Sequence, residues 1–278
     1  HENEAVTAFA EKMAGDGVYY KMPPSEGKIN FVAEIDGLLT IDRHMLYNFN
    51  LVPNVMCTSR QNQIIVEKDK PFAGCRAIPL YLSRQHFQQA VAALNEGAAP
   101  MFAVQPLKPA NVGILVTGTE VYRELVEDKF EPVIRSKVEA LGSTVIHATV
   151  VPDDADRIAE TVHAMGDMGI DLLVTTAGLS VDPDDQTRQG LMAAGMSEVL
   201  YGAAVLPGAM TLLGRIGRAR VLGVPACALF HRITSLDLIL PRILADQHIG
   251  RADLAEMAEG GFCLGCKSCT FPKCPFGK

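Results

Sequence analysis

Asp171-Leu172-Leu173-Val174-Thr175-Thr176-Ala177-Gly178-Leu179-Ser180-Val181-Asp182-Pro183-Asp184-Asp185 is the stretch on which the reading of this chain turns. Leu172 to Val174 are apolar in succession, as in a strand covered on both faces of a parallel sheet. Thr175 to Ser180 are small and rich in hydroxyls, so backbone N–H groups there can approach an anionic ligand. Asp182, Asp184 and Asp185 then bring carboxylates to the same crevice. A helix is expected from about Thr187, so the loop also faces a helix N-terminus.

A second loop of this kind lies upstream. Val112-Gly113-Ile114-Leu115-Val116 reads as a strand and runs into Thr117-Gly118-Thr119-Glu120, again small hydroxyl residues followed by an acid. Each loop alone reads as an ordinary strand-to-helix turn. The pair reads as a site, because ligands of open α/β sheets bind at the carboxyl ends of strands near the topological switch point.

Strands and helices alternate around these loops. A strand over 144–151 follows a helix over about 127–141 that Gly142 closes. Asp154 caps a helix over 155–168, the strand 171–175 follows, and a helix over 187–194 ends at Gly195. Arg220–Val224 is the next strand, and Pro225 opens a long apolar helix to Leu244 with a kink or break at Pro241. This alternation predicts an α/β fold with a doubly wound, mostly parallel sheet.

The first part of the chain is irregular and reads as mixed α+β. Ala5, Val6, Phe9, Ala10 and Met13 recur on one face and predict a helix over residues 1 to about 21, broken by Pro23-Pro24. Strands are expected at 29–35, 38–41, 55–58, 64–66 and 77–82. Asp42 caps a short helix through Phe49 and Ser83 one to Asn95. Ala98-Ala99-Pro100 and 106–109 read as a linker. The expected division is 1–108 for this region, 109–250 for the α/β domain and 260–278 for a Cys-rich tail.

The chain has 278 residues and a formal net charge of −7, and no basic run of the nucleic-acid-binding type occurs. Charges interrupt every long apolar stretch, so no membrane partner is expected. No signal-peptide pattern stands at the start, which points to a cytoplasmic protein. The first residue is His1 rather than Met, which reads as a fragment or a processed product.

Residues 112 to about 244 resemble the molybdopterin-binding domain of molybdenum-cofactor biosynthesis proteins. That family has Thr-Gly-Asp-Glu after its first strand; here it is Thr117-Gly118-Thr119-Glu120. Its Pro-Asp-Asp after the next strand is Pro152-Asp153-Asp154. Its Thr/Ser-Gly-Gly-x-Ser-x-Gly-x-x-Asp is matched by Thr176-Ala177-Gly178-Leu179-Ser180-Val181-Asp182-Pro183-Asp184-Asp185. Its later Pro-Gly is Pro207-Gly208, and its Leu-Pro-Gly-Asn-Pro is Val224-Pro225-Ala226-Cys227-Ala228. Residues 1–108 resemble, more loosely, the accessory regions of the molybdotransferase branch, through Gly74-x-Arg76-x-Ile78-Pro79-Leu80.

The resemblance implies a pterin site of Thr117, Gly118, Thr119, Thr176, Gly178, Ser180, Pro207, Gly208 and Pro225. It implies molybdopterin or its adenylated form as ligand, with molybdate or tungstate as the other partner. Asp185 and Glu120 stand at catalytic positions, with Mg²⁺ as their companion. Helix capping competes for Asp185, and is the preferred reading of Asp153 and Asp154. Ala177, Asp182, Thr119 and Ala226-Cys227 depart from the family pattern. Two functions follow: molybdate insertion, or a non-catalytic carrier or redox/metal sensor whose tail docks a partner. A homodimer is implied as well.

The tail, Cys263-Leu264-Gly265-Cys266-Lys267-Ser268-Cys269-Thr270-Phe271-Pro272-Lys273-Cys274-Pro275, holds four of the seven cysteines at C-x2-C-x2-C-x4-C-P spacing. The ferredoxin run C-x2-C-x2-C-x3-C-P is close to it. Cys263, Cys266, Cys269 and Cys274 are expected to bind metal, as an iron–sulfur cluster or Zn²⁺, with a slight lean to iron–sulfur; a disulfide knot is the alternative. Cys57 and Cys75 read as small buried hydrophobes, and Cys227 lies in the last ligand loop.

Overall fold

The computed structural model describes residues 1–78, 81–176 and 185–277. The chain divides into two units, His1–Leu107 and Lys108–Lys278. Among the described residues no helix is long and apolar enough to cross a membrane.

In the first unit, α1 (Glu2–Met13) turns Ala5, Val6, Phe9, Ala10 and Met13 into the core. It is shorter than the apolar pattern suggested. Gly15-Asp16-Gly17 ends it, and the remainder becomes the strand β1 (Val18–Tyr20). Then come β2 (Lys28–Ala33), β3 (Gly37–Ile41), α2 (Arg43–Leu51), β4 (Val55–Ser59), β5 (Ile64–Val66) and β6 (Pro71–Ala77). The unit closes with α3 (Arg84–Asn95) and β7 (Phe102–Pro106). Asp42 and Ser83 cap their helices as expected, accepting from Met45 N and His86 N. The strand expected at 77–82 is displaced: β6 ends at Ala77, and Pro79 and Leu80 lie outside the described residues. The stretch read as a linker contains β7, which pairs with β3. Two antiparallel sheets result, β1-β2-β6-β4 and β5-β3-β7. Phe9, Phe31, Phe49 and Phe102 are fully buried at their centre, with Phe9 edge-on to Phe49 at 5.3 Å.

The second unit is built on β8 (Asn111–Thr117), the short α4 (Thr119–Tyr122), α5 (Phe130–Glu139) and β9 (Thr144–Val151). Next are α6 (Ala155–Asp167), β10 (Leu172–Thr176), α7 (Gln186–Ala193) and β11 (Ser197–Tyr201). Last come β12 (Leu212–Ile216), β13 (Ala219–Val224), a 3₁₀ turn over Ala226–Leu229, α8 (Ser235–Leu244) and α9 (Arg251–Glu256). The sheet order is β11-β12-β13-β10-β8-β9. β13, β10, β8 and β9 are parallel, and β12 and β11 extend the sheet as an antiparallel edge. β8 and β10 are buried along nearly their whole length, which explains their continuous apolar runs. Ile158, Val162 and Met165 of α6 pack with Leu115, Leu173 and Leu191 on one sheet face.

Two helix expectations change. The helix expected over 127–141 is Phe130–Glu139, because Asp128 Oδ1 accepts from Phe130 N and Glu131 N and sets its start. The long helix expected from Pro225 is two elements. Thr234 and Asp237 form a capping box that begins α8 afresh, and Pro241 lies inside α8 without breaking it.

Candidate functional site

The parallel strands end together on one edge of the sheet. Register sets Thr176 beside Val116 on one side and Val224 on the other, and Thr117 beside Val151. β11 lies two antiparallel steps from β13 and so runs with it, which carries Tyr201 to the same edge. The chain leaves β8 toward β9 and leaves β10 toward the opposite side, so the connections diverge between β8 and β10. That divergence is where an α/β sheet opens a ligand crevice.

A threonine cluster closes the bottom of this crevice. Thr117 Oγ1 donates to the Thr176 carbonyl at 2.9 Å. Having given its only proton, it accepts from Thr187 Oγ1 at 2.7 Å. All three residues are buried. The Oγ1 atoms of Thr175 and Thr176 are also buried, and neither has a hydrogen-bond partner among the described residues. Neighbouring strand residues face opposite sides of the sheet, so these two hydroxyls serve different faces.

The loops around the cluster are held from outside. Gly118, at φ 153°, occupies backbone space that a side chain rarely adopts. Thr119 N donates to Asp153 Oδ2 at 2.9 Å, and Asp153 N donates back to Thr119 Oγ1 at 3.2 Å. Asp153 therefore pins the Thr117–Thr119 loop, and Asp154 caps α6 through Arg157 N. Asp185 caps α7, its Oδ1 accepting from Thr187 N at 2.9 Å and Arg188 N at 3.2 Å. Those N–H groups, expected to face an anionic ligand, are thus committed to the Asp185 carboxylate. Glu120 is exposed on α4.

Pro207 and Gly208 reach the same edge, because β12 begins at Leu212 opposite Gly223 at the end of β13. The Pro207 carbonyl accepts from Ser235 N at 3.1 Å. Gly208 has φ 122°, and a Cβ there would stand 2.0 Å from Ser235 Oγ and 2.7 Å from Ser235 N. Pro225 is buried at the end of β13 and accepts from Ala228 N at 3.0 Å. Gly178 and Ser180, with Ala177, Asp182 and Asp184, lie outside the described residues.

Residues 113–245 match the family model described as "Probable molybdopterin binding domain". That stretch belongs to this family. It contains every strand-end residue just described.

A CinA-like protein of Mycobacterium tuberculosis (strain ATCC 25618 / H37Rv) is 37% identical over 78 residues, 28% of this chain and 18% of that protein. The chain thus spans about a fifth of the length of the curated relatives it matches. The crystal structure of the molybdopterin biosynthesis enzyme MoaB from Thermus thermophilus is similar at 22% identity and a TM-score of 0.42, over 50% of this chain and 98% of that one. CinA from Thermoplasma acidophilum, a protein with unknown function, gives 16% identity and a TM-score of 0.43, over 49% of this chain and 98% of that one.

Two residues of the molybdopterin-binding-family domain join the edge without having been singled out in the sequence. The Arg188 guanidinium lies over the Tyr201 ring, 5.5 Å from its centre. Burial pushes the Tyr201 phenol above its usual range; the Asp185 charge adds to the shift and Arg188 opposes it. Only the register of β11 brings Tyr201 beside α7, so no local sequence signal announces it.

The tail cysteines lie outside the matched stretch. All seven thiols are free. Among the described residues no three His, Cys, Asp or Glu side chains are gathered to hold a metal ion. The expectation of a ready-formed ion site at Cys263, Cys266, Cys269 and Cys274 is therefore not met in this arrangement. Cys57 and Cys75, paired across β4 and β6, are buried as expected. The hydrogen bond between them and burial push the Cys75 thiol up. Cys227 is half-buried, and burial raises its thiol too.

Proposed function

We propose that the sheet edge binds molybdopterin and that the protein acts in the synthesis or handling of the molybdenum cofactor. The observation that carries this reading is the buried Thr117–Thr176–Thr187 cluster, with its unpartnered Thr176 hydroxyl, at the divergence of β8 and β10. It lies within the stretch that matches the molybdopterin-binding family. A buried hydroxyl left without a partner costs about 1–3 kcal/mol. A polar ligand group at this edge would offset that cost.

The finer reading is insertion of molybdate or tungstate into an adenylated molybdopterin in the cytoplasm. Thr117, Gly118, Thr119, Thr176, Gly178, Ser180, Pro207, Gly208 and Pro225 would seat the pterin and its phosphate. Glu120 and Asp185 are hard oxygen donors of the kind Mg²⁺ takes, and together with the ligand's phosphates they would hold one. When bound, that ion would neutralise charge developing on the phosphates. Asp185 also orders the Thr187–Arg188 turn beneath them. The reaction would cleave the bond between the two phosphates, releasing AMP, and leave the metal oxyanion on the two pterin sulfurs. A second copy of the chain would complete a homodimer.

Release of AMP from adenylated molybdopterin tests the finer reading. Turnover should need both molybdate and Mg²⁺, and Glu120→Gln should slow it at least tenfold while the fold is retained. Tight pterin binding without AMP release overturns insertion and leaves the carrier reading standing.

A further inference from the structure

The cysteine tail is a loop fastened at both ends. At its start, Leu206 N donates to Gly261 O at 2.7 Å and Cys263 N donates to Leu206 O at 2.8 Å, which makes a short parallel bridge between Leu206 and Phe262. At its end, Gly277 N donates to Gly260 O at 2.9 Å, and Phe276 is buried. The segment between the anchors encloses a cavity of 520 Å³ lined by all four tail cysteines. His231 and Arg232, from the chain that follows the Ala226–Leu229 turn, line it as well, with Lys267.

Four thiols on one cavity, with no three gathered for a single ion among the described residues, suit a group larger than an ion. Zinc needs its sulfurs within about 2.3 Å of one centre, whereas an iron–sulfur cube keeps its thiolates apart at four corners. A four-iron cluster of charge 2+ on four thiolates carries a net charge of about −2, and the cations Arg232 and Lys267 stand on its wall. The tail has four cysteines and no more, which matches the ligand count of one such cluster.

We infer that this loop is the seat of a four-iron, four-sulfide cluster ligated by Cys263, Cys266, Cys269 and Cys274, and that loading it braces the Leu206–Gly208 turn. Four Fe–S bonds form to a preassembled cluster and four thiol protons pass to solvent, with no change of oxidation state. The bracing follows from continuity: Cys263 is a ligand through its side chain and a partner of Leu206 through its backbone. Pro207 and Gly208 adjoin Leu206, so the cluster would regulate the pterin edge, and this last link rests on the function proposed above.

The full chain, made in iron-supplied cells and purified without oxygen, should carry about four iron and four acid-labile sulfides with a visible sulfur-to-iron charge-transfer band. Cys266→Ser with Cys269→Ser should lose them while the far-ultraviolet circular dichroism of the folded protein is unchanged. Amide exchange at Leu206 and Cys263 should be about tenfold slower in the loaded protein than in this variant. Stoichiometric zinc, or a folded protein with no iron and sulfide, overturns the cluster. A cluster with unchanged exchange at these amides overturns the bracing. Neither readout uses the pterin, so either failure is distinct from failure of the pterin site.

Discussion

The Thr176 hydroxyl is buried with no partner among the described residues, and this makes a two-sided test at a single atom. Thr176→Val keeps the shape and removes the orphan. The ligand-free protein should gain about 1 kcal/mol in urea unfolding, while pterin affinity falls several-fold. A loss of stability instead would show that the hydroxyl is already satisfied. Gly208→Ala should cost about 3 kcal/mol, because a Cβ would meet Ser235 backbone and side chain at a positive φ. An unchanged melting temperature would contradict the close approach. Asp185 separates its two roles by substitution. Asn caps as well as Asp, so Asp185→Asn should leave stability within a few tenths of a kcal/mol, whereas Asp185→Ala should cost about 1 kcal/mol. Mg²⁺-dependent turnover should drop in both. If Asp185→Asn keeps full turnover, the residue is a cap and not a catalytic group.

Among the elements, α8 is fixed by one ion pair that also serves its start. Lys137 of α5 pairs with Asp237, both mostly buried, and its ammonium donates to the Arg232 carbonyl at 2.8 Å. Asp237 in turn accepts from Thr234 N at 2.8 Å. Asp237→Ala should therefore cost about 3 kcal/mol in urea unfolding, by leaving Lys137 unpaired and removing the capping box. A cost below about 1 kcal/mol would contradict this role. Elements governed by their own neighbours were legible in the sequence. Asp42, Ser83, Asp154 and Asp185 each cap the helix beside them, and β8 and β10 show their burial as apolar runs. Elements governed by distant pairing were not. β11 and β12 form the antiparallel edge and are only partly buried, so they carry neither the alternation of a one-sided strand nor a full apolar run. β7 lies among prolines and is fixed by β3, some sixty residues away. The threonine cluster could be placed at strand ends, but the Asp185–Arg188–Tyr201 grouping depends on sheet order.

At the scale of the whole molecule, the pH response of the second unit has a local source. The Lys108 hydrogen bond, and then the Arg220 charge, hold the Asp246 carboxyl below its usual range. Unfolded, that group titrates near about 3.9. Its contribution is therefore complete above about pH 4 and is lost as pH falls through the lower folded value. These side chains are largely exposed, so solvent screens the effect and it is small. Asp246→Asn should flatten the acid limb of the melting curve; identical acid limbs would show that Asp246 contributes nothing. The central claim is that the edge where β8 and β10 diverge binds molybdopterin. The most direct test is a thermal-shift titration of the full chain with molybdopterin, without oxygen. A ligand that binds only the folded state should stabilise it by about 2.7 kcal/mol at a hundredfold excess over Kd, with a smaller shift in Thr176→Val. A folded, wild-type chain whose melting temperature stays flat through the titration would contradict the claim.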